Sequence, residues 1–162
     1  MFRTKLQETF VIIDAIFYDK ATTGQSNSRW GNVQNNLQVT VGDEYTTLTP
    51  TIDSNMNRYE VPSNSIPSEP LVVEFKKHNT ANDGQYIMLG SRVVNLYSSW
   101  NGNLKDAEHI KFTINNGAIS VTHDGITESS TLSYTSMTAM QFRLISLSAG
   151  ALKYSDFKIY SI

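Results

Sequence analysis

An all-β chain folded as an antiparallel β-sandwich is what this sequence predicts, and three observations predict it. Apolar residues recur with period 2 over short runs and almost never with period 3.6. Turn residues, with Asn-Gly and Asp-Gly among them, separate those runs at intervals of roughly 8–12 residues. Only 17% of the chain is charged; the polar surface is left to Ser, Thr and Asn, which favour turns and pleated surfaces over helix interiors.

Taken in order, Phe10 to Tyr18 is apolar but interrupted by Asp14, which predicts two strand pieces around a kink. Leu37-Gln38-Val39-Thr40-Val41 alternates, Gly42-Asp43-Glu44 turns, and Tyr45 to Leu48 returns as its hairpin partner. Arg58 to Val61 is a short strand stopped by Pro62, and the connection to Pro70, with Pro67 inside it, is expected to be irregular because proline donates nothing to a ladder. Leu71, Val73 and Phe75 share one strand face. Asn79 to Gly84 is a polar loop, and Gln85 to Leu89 and Arg92 to Tyr97 are strands around Gly90-Ser91.

A three-stranded meander follows. Ile110, Phe112 and Ile114 share a face, Asn115-Asn116-Gly117 turns, Ile119 and Val121 share the next face, and Asp124-Gly125 turns again before Ile126. Asn-Gly and Asp-Gly tolerate the positive φ that a tight hairpin requires. Met140, Phe142 and Leu144 alternate, and the change of phase at Ile145 and Leu147 predicts a bulge or a crossing between sheets. In the last strand Phe157 and Ile159 are expected on one face, with Tyr154, Tyr160 and Ile162 on the other. Asp106-Ala107-Glu108 is expected to form one helical turn at most.

With 162 residues and no break in composition, residues 1–162 read as one domain, of a size that buries roughly 70% of its unfolded surface. No cysteine is present, which excludes disulfides, thiolate metal sites and cysteine nucleophiles. A net charge of −2 with scattered Lys and Arg excludes a general nucleic-acid binder. Arg3 and Lys5 precede an apolar run, but Glu8 and Asp14 bracket it and no small-residue cleavage site follows, so no export signal is expected. No window reaches the ~18 apolar residues of a membrane span. The expectation is a soluble domain that reaches a virion or extracellular surface as part of a larger assembly.

The meander from Ile110 to Gly125 and the ending Gly150-Ala151-Leu152-Lys153-Tyr154-Ser155-Asp156-Phe157-Lys158-Ile159-Tyr160 resemble the concanavalin-like lectin and glucanase superfamily, which includes laminin-G-type domains. The resemblance covers the layout from Glu8 to Ile162, but the residues only in those two stretches. It implies a jelly-roll sandwich whose final strand pairs near the first. It also implies a function: similar modules of phage tail and prokaryotic surface proteins bind glycans, with adhesion and host recognition as the result.

Glycosidase chemistry requires two carboxylates spaced across the scissile bond. The superfamily's Glu-x-Asp-x-x-Glu is absent, Glu74 stands alone in its strand, and Glu69 lies in the proline-rich connection, so both are expected to be solvated and no enzyme is expected. His78, His109 and His123 follow no metal-ligand spacing, and no Gly-x-Ser-x-Gly elbow occurs. Asn79, Asn82, Asp83 and Gly84 are the candidate for a loop-borne calcium site, yet they offer one carboxylate, so a polar turn and no cofactor are expected. Lys76-Lys77 reads as an edge-strand guard against association.

Sugar binding needs a ring to stack on the apolar sugar face and polar side chains to meet its hydroxyls. Tyr97-Ser98-Ser99-Trp100-Asn101-Gly102-Asn103 and Asn27-Ser28-Arg29-Trp30-Gly31-Asn32 have that composition, which makes Trp100, Tyr97 and Trp30 the candidate rings and Asn101 and Arg29 their polar partners. The competing expectation is that each tryptophan plugs the end of the sandwich, since Trp is usually well buried. Two function classes remain: a glycan-binding module, and a structural module that contacts other subunits of its assembly. A hydrolase ranks behind both.

Overall fold

The computed structural model describes residues 15, 17–26, 30, 37–54 and 57–162. The expected strand piece around Phe10, and Arg29, lie outside the described residues. Thirteen strands are described: β1 (Phe17–Asp19), β2 (Leu37–Val41), β3 (Thr46–Pro50), β4 (Arg58–Glu60), β5 (Leu71–Lys77), β6 (Gln85–Leu89), β7 (Arg92–Asn95), β8 (His109–Asn115), β9 (Ala118–His123), β10 (Ile126–Thr127), β11 (Leu132–Ser133), β12 (Met140–Leu144) and β13 (Leu152–Ser161). They form two antiparallel sheets. The larger runs β10-β9-β8-β5-β13-β3-β2, with β1 also on β13 and β11 also on β9; the smaller runs β4-β12-β6-β7.

The two sheets share one apolar cluster. Phe75, Phe112, Phe157, Ile110, Ile114 and Ile159 enter it from the larger sheet, and Ile87, Leu89, Val94, Phe142 and Leu144 from the smaller one. Fully burying a side chain of this size stabilises by about 1.5–3 kcal/mol, so alternation in so many strands settles which face each turns inward. The hairpin β8–β9 pairs Ile114 with Ile119 and Phe112 with Val121, and its turn places Asn116 at φ 48 and Gly117 at φ 75, as the Asn-Gly dipeptide predicts. β2 and β3 pair in the expected hairpin, Val39 opposite Leu48.

Three local expectations are corrected. β5 is flanked by β8 and β13, so Lys76-Lys77 guards no edge: Lys77 is buried, and its Nζ donates to the carbonyls of Asn79 at 2.7 Å and Lys105 at 2.8 Å. Burial accordingly pushes the Lys77 ammonium below its ordinary pKa. In β13 the register shifts between Ser155 and Lys158, with Asp156 at φ 50. That bulge turns Tyr154 onto the same inner face as Phe157 and Ile159. Asp106–Glu108 forms bends, within the limit of one helical turn at most. Glu74 is not solvated: its side chain is 15% exposed, among His109 Nε2 at 4.0 Å, Lys158 Nζ at 3.7 Å and the Tyr160 hydroxyl, which donates at 3.1 Å. The phase change at Ile145 does mark a crossing, since the chain leaves β12 in one sheet and enters β13 in the other through the short 3-10 turn Leu147–Ala149.

One buried carboxylate ties the interior together. Asp19 Oδ1 accepts from the Ala21 amide at 2.8 Å, while its Oδ2 accepts from Trp30 Nε1 at 2.7 Å and the Tyr154 hydroxyl at 2.8 Å. Burial, and after it the charge of Asp19, raises the Tyr59 phenol from 10.0 to about 12; Tyr154 is held well above its ordinary value, burial again the largest cause. A phenol that keeps its proton more tightly when folded contributes stability that is complete below its unfolded pKa and lost as pH rises through the folded one. The denaturation midpoint, followed by circular dichroism, is therefore expected to fall between pH 10 and about 12. A midpoint flat across that window contradicts the burial of these phenols.

Candidate functional site

Of the five candidate residues, four are described, Trp30, Tyr97, Trp100 and Asn101, and they differ in exposure. Trp30 and Trp100 are each 7% exposed, so neither indole offers a face to a sugar. Trp30 stacks on Tyr59 with ring centres 4.2 Å apart and meets Phe17 edge-on at 5.1 Å. Trp100 lies 6.1 Å from Phe112, and its Nε1 donates to the Ser130 carbonyl at 2.9 Å. Both plug the sandwich, because a ring with one polar atom is satisfied by a single internal partner and then gains from burial everywhere else. Trp100 and Asn101 have positive φ, 51 and 57; this left-handed backbone turns the indole inward and leaves Asn101 exposed. Arg29 is outside the described residues.

Tyr97 is the candidate ring that stays at the surface, 39% exposed. It follows β7 in a turn fixed by Asn95, whose Oδ1 accepts from the Tyr97 amide at 2.9 Å. The Asn95 Nδ2 in turn donates to Asp83 Oδ1 at 2.9 Å. Lys105 Nζ lies 5.1 Å from the Tyr97 ring centre, close enough for a cation–π contact.

Tyr97 lines a groove of about 480 Å³ with Tyr86, Asn82, Asp83, Gly84, Ile145, Ser146 and Ser148. That volume is within the roughly 300–1,000 Å³ of small-molecule sites. Its floor is rigid. Gln85 is buried, and its Nε2 donates to the Ala149 carbonyl at 2.7 Å and the Ala151 carbonyl at 3.0 Å, which clamps the start of β6 to the crossover from β12 to β13. The rim carries Asp83, one amide and two serine hydroxyls beside two phenol rings. Of the proposed calcium loop, Asn79 Nδ2 donates to the Ala151 carbonyl and Asn82 Nδ2 to the Ala149 carbonyl, so both amides are committed to holding the loop. Among the described residues no three His, Asp or Glu side chains cluster as a metal site.

Tyr86 also belongs to the outer face of the smaller sheet. In register across its strands, Arg58 lies opposite Arg143, Arg143 opposite Tyr86, and Tyr86 opposite Asn95. The adjacent row is Glu60, Gln141, Met88 and Val93. Sequence reasoning missed this face, because its members come from four strands with no local signal in common.

A second groove of about 480 Å³ lies at the C-terminal end of β5, lined by Lys77, His78, Thr80, Asp106, His109 and Asp124 among others. Its polar groups are occupied internally. Asp124 is held below the ordinary carboxylate range by the backbone N–H of His109 and, after it, of Glu108; Thr80 donates to Asp106 at 3.0 Å. His78 Nε2 lies 2.7 Å from the Ser155 hydroxyl, but Ser155 is buried, and no carboxylate bonds to His78 among the described residues. This arrangement holds loops together and presents no activated nucleophile.

Fold and groove define an antiparallel β-sandwich with a shallow, aromatic-lined, polar-rimmed cleft at one end. A scan against protein-family models and a search of curated proteins give no match.

Proposed function

We propose that the domain is a non-catalytic carbohydrate-binding module of the concanavalin-like kind, serving a phage-tail or cell-surface assembly, and that sugar sits in the groove bordered by Tyr97 and Tyr86. The observation that carries the reading is Tyr97, an exposed ring held by Asn95 beside Asp83, Ser146 and Ser148. A phenol ring stacks on the apolar face of a pyranose, and a neighbouring carboxylate and hydroxyls match its hydroxyl groups. With Asp83 as the groove's one carboxylate, the site binds without the acid and nucleophile pair that glycoside hydrolysis needs. A groove this open gives weak single contacts, which display in many copies strengthens through effective concentration.

The test is a glycan array probed with a multivalent form of the domain and of its Tyr97→Ala variant. Tyr97 is exposed, so the variant is expected to keep its thermal midpoint while losing about tenfold or more in affinity, or ~1.4 kcal/mol. A variant that binds every glycan as the wild type does removes the groove from the reading. Absence of binding to any glycan by the wild type favours instead a structural role among other subunits.

A further inference from the structure

We infer that the outer face of the β4-β12-β6-β7 sheet is a receptor for an oxyanion, held by Arg58 and Arg143, so that the sugar bound next to Tyr86 is an acidic one carrying a carboxylate or a phosphate. The sugar part rests on the glycan reading above; the oxyanion part stands on its own observations.

Arg58 and Arg143 are directly opposite one another on neighbouring strands, which brings two cations to about 4.5–5.5 Å at Cβ, a pairing that destabilises a sheet. The larger sheet avoids this arrangement, since Glu74 is set opposite Lys111 there, with Lys158 and His109 closing on it. On the smaller sheet the only acidic neighbour in these two rows is Glu60, whose Oε2 is 4.0 Å from Arg58 Nε, beyond hydrogen-bonding distance. The Arg143 Nε has no hydrogen-bond partner among the described residues.

Desolvation adds a second, independent sign. The Nε atoms of both arginines and Oε1 of Gln141 are out of water yet lack a hydrogen-bond partner, and Gln141 itself is 6% exposed. Polar atoms left in this state call for an explanation, such as strain, an ordered water or a bound ion. An oxyanion meets the need: its oxygens accept from two guanidinium forks at once, the geometry for which arginine is suited over lysine, and its charge relieves the repulsion between them. The Gln141 oxygen is then available to a sugar hydroxyl. Arg143 pairs in register with Tyr86, and Tyr86 lines the groove, so anion and pyranose ring fall within one ligand.

The arginine Nε–Hε resonances report directly on this site. Titration with galacturonate, galactose 6-phosphate and neutral galactose is expected to move the Arg58 and Arg143 peaks saturably for the two acidic sugars and not for galactose, with a response that weakens as salt is added. Whichever acidic sugar binds more tightly names the anion. Arg58→Gln and Arg143→Gln, both on the solvent side, are expected to keep or raise the thermal midpoint and to lower affinity for the acidic sugar by about tenfold. An equal response to galactose and the acidic sugars, or unchanged affinity in both glutamine variants, overturns the inference. Tyr97→Ala separates the two claims. Arginine peaks that respond to acidic sugars and to inorganic phosphate alike, with affinity indifferent to Tyr97→Ala, keep the oxyanion site and discard the glycan groove; neutral-sugar binding lost in Tyr97→Ala, with silent arginine peaks, does the reverse.

Discussion

Trp30→Ala is expected to destabilise the domain by about 3–5 kcal/mol, the range for deleting a large buried ring. Its indole is in contact with Tyr59, Phe17, Phe142, Phe157 and Tyr154, so truncation opens a cavity between the two sheets. It also takes one donor from the buried Asp19 carboxylate, and a buried charge that loses a partner costs more than the bond itself contributed. For a chain of this length the thermal midpoint should drop by roughly 6–20 °C. Trp30→Phe separates the two contributions: it restores much of the ring packing but not the N–H donor, and about 1–3 kcal/mol of loss should persist. Urea denaturation of both variants measures this. A loss under about 0.5 kcal/mol for Trp30→Ala, the ordinary range for surface changes, returns the ring to the surface and restores it as a sugar platform. The prediction also bears on function, because a loss of binding in Trp30→Ala or Trp100→Ala would reflect unfolding unless the fold is monitored alongside.

What was legible in the sequence follows from what alternation encodes. The β8–β9 hairpin was readable because its inward residues, Ile110 to Val121, obey period 2 and its turn demands positive φ at Asn116-Gly117. Alternation states which face a residue occupies but not which strand lies beside it. Lys76-Lys77 was therefore placed at an edge, although β5 is central. The bulge in β13 was hidden because Asp156, not a glycine, carries the positive φ, and one inserted residue reverses the face of everything before it. The tryptophan loops show the sharper limit. A polar Ser/Asn/Gly loop around a ring is equally the composition of a platform and of a plug, and the choice depends on the left-handed backbone at Trp100 and Asn101, which two non-glycine residues do not announce. Of the candidate site, Tyr97 was within reach of sequence reasoning. Tyr86, Arg58 and Arg143 were not, since only cross-strand register brings them together.

Gly90→Ala should be as damaging as losing a core ring, for a different reason. A Cβ at this position would be 1.8 Å from the Ser136 carbonyl oxygen and 2.8 Å from Met137 Cα; both are backbone, so no side-chain rotation relieves the overlap. The same segment is bonded to the turn: Gly90 N donates to the Ala139 carbonyl at 2.7 Å and Ser91 N to the Ser136 carbonyl at 2.9 Å, while the Ser91 hydroxyl accepts from the Thr135 amide at 2.8 Å. Moving the backbone aside therefore loses several hydrogen bonds together, and a loss above about 3 kcal/mol is expected. Gly125→Ala is the control. It has a comparable positive φ of 83 with nothing within 4 Å of the added carbon, so it should show only the left-handed backbone penalty of about 1–2 kcal/mol. The difference between the two variants in chemical denaturation isolates the overlap, and equal losses would mean that the segment Ser136–Met137 does not lie against the β6–β7 turn. Because β6 and β7 carry Tyr86 and Asn95, the two groups that join the Tyr97 groove to the arginine row, Gly90→Ala is further expected to weaken ligand binding from a position that touches no ligand, and only in proportion to the fraction unfolded.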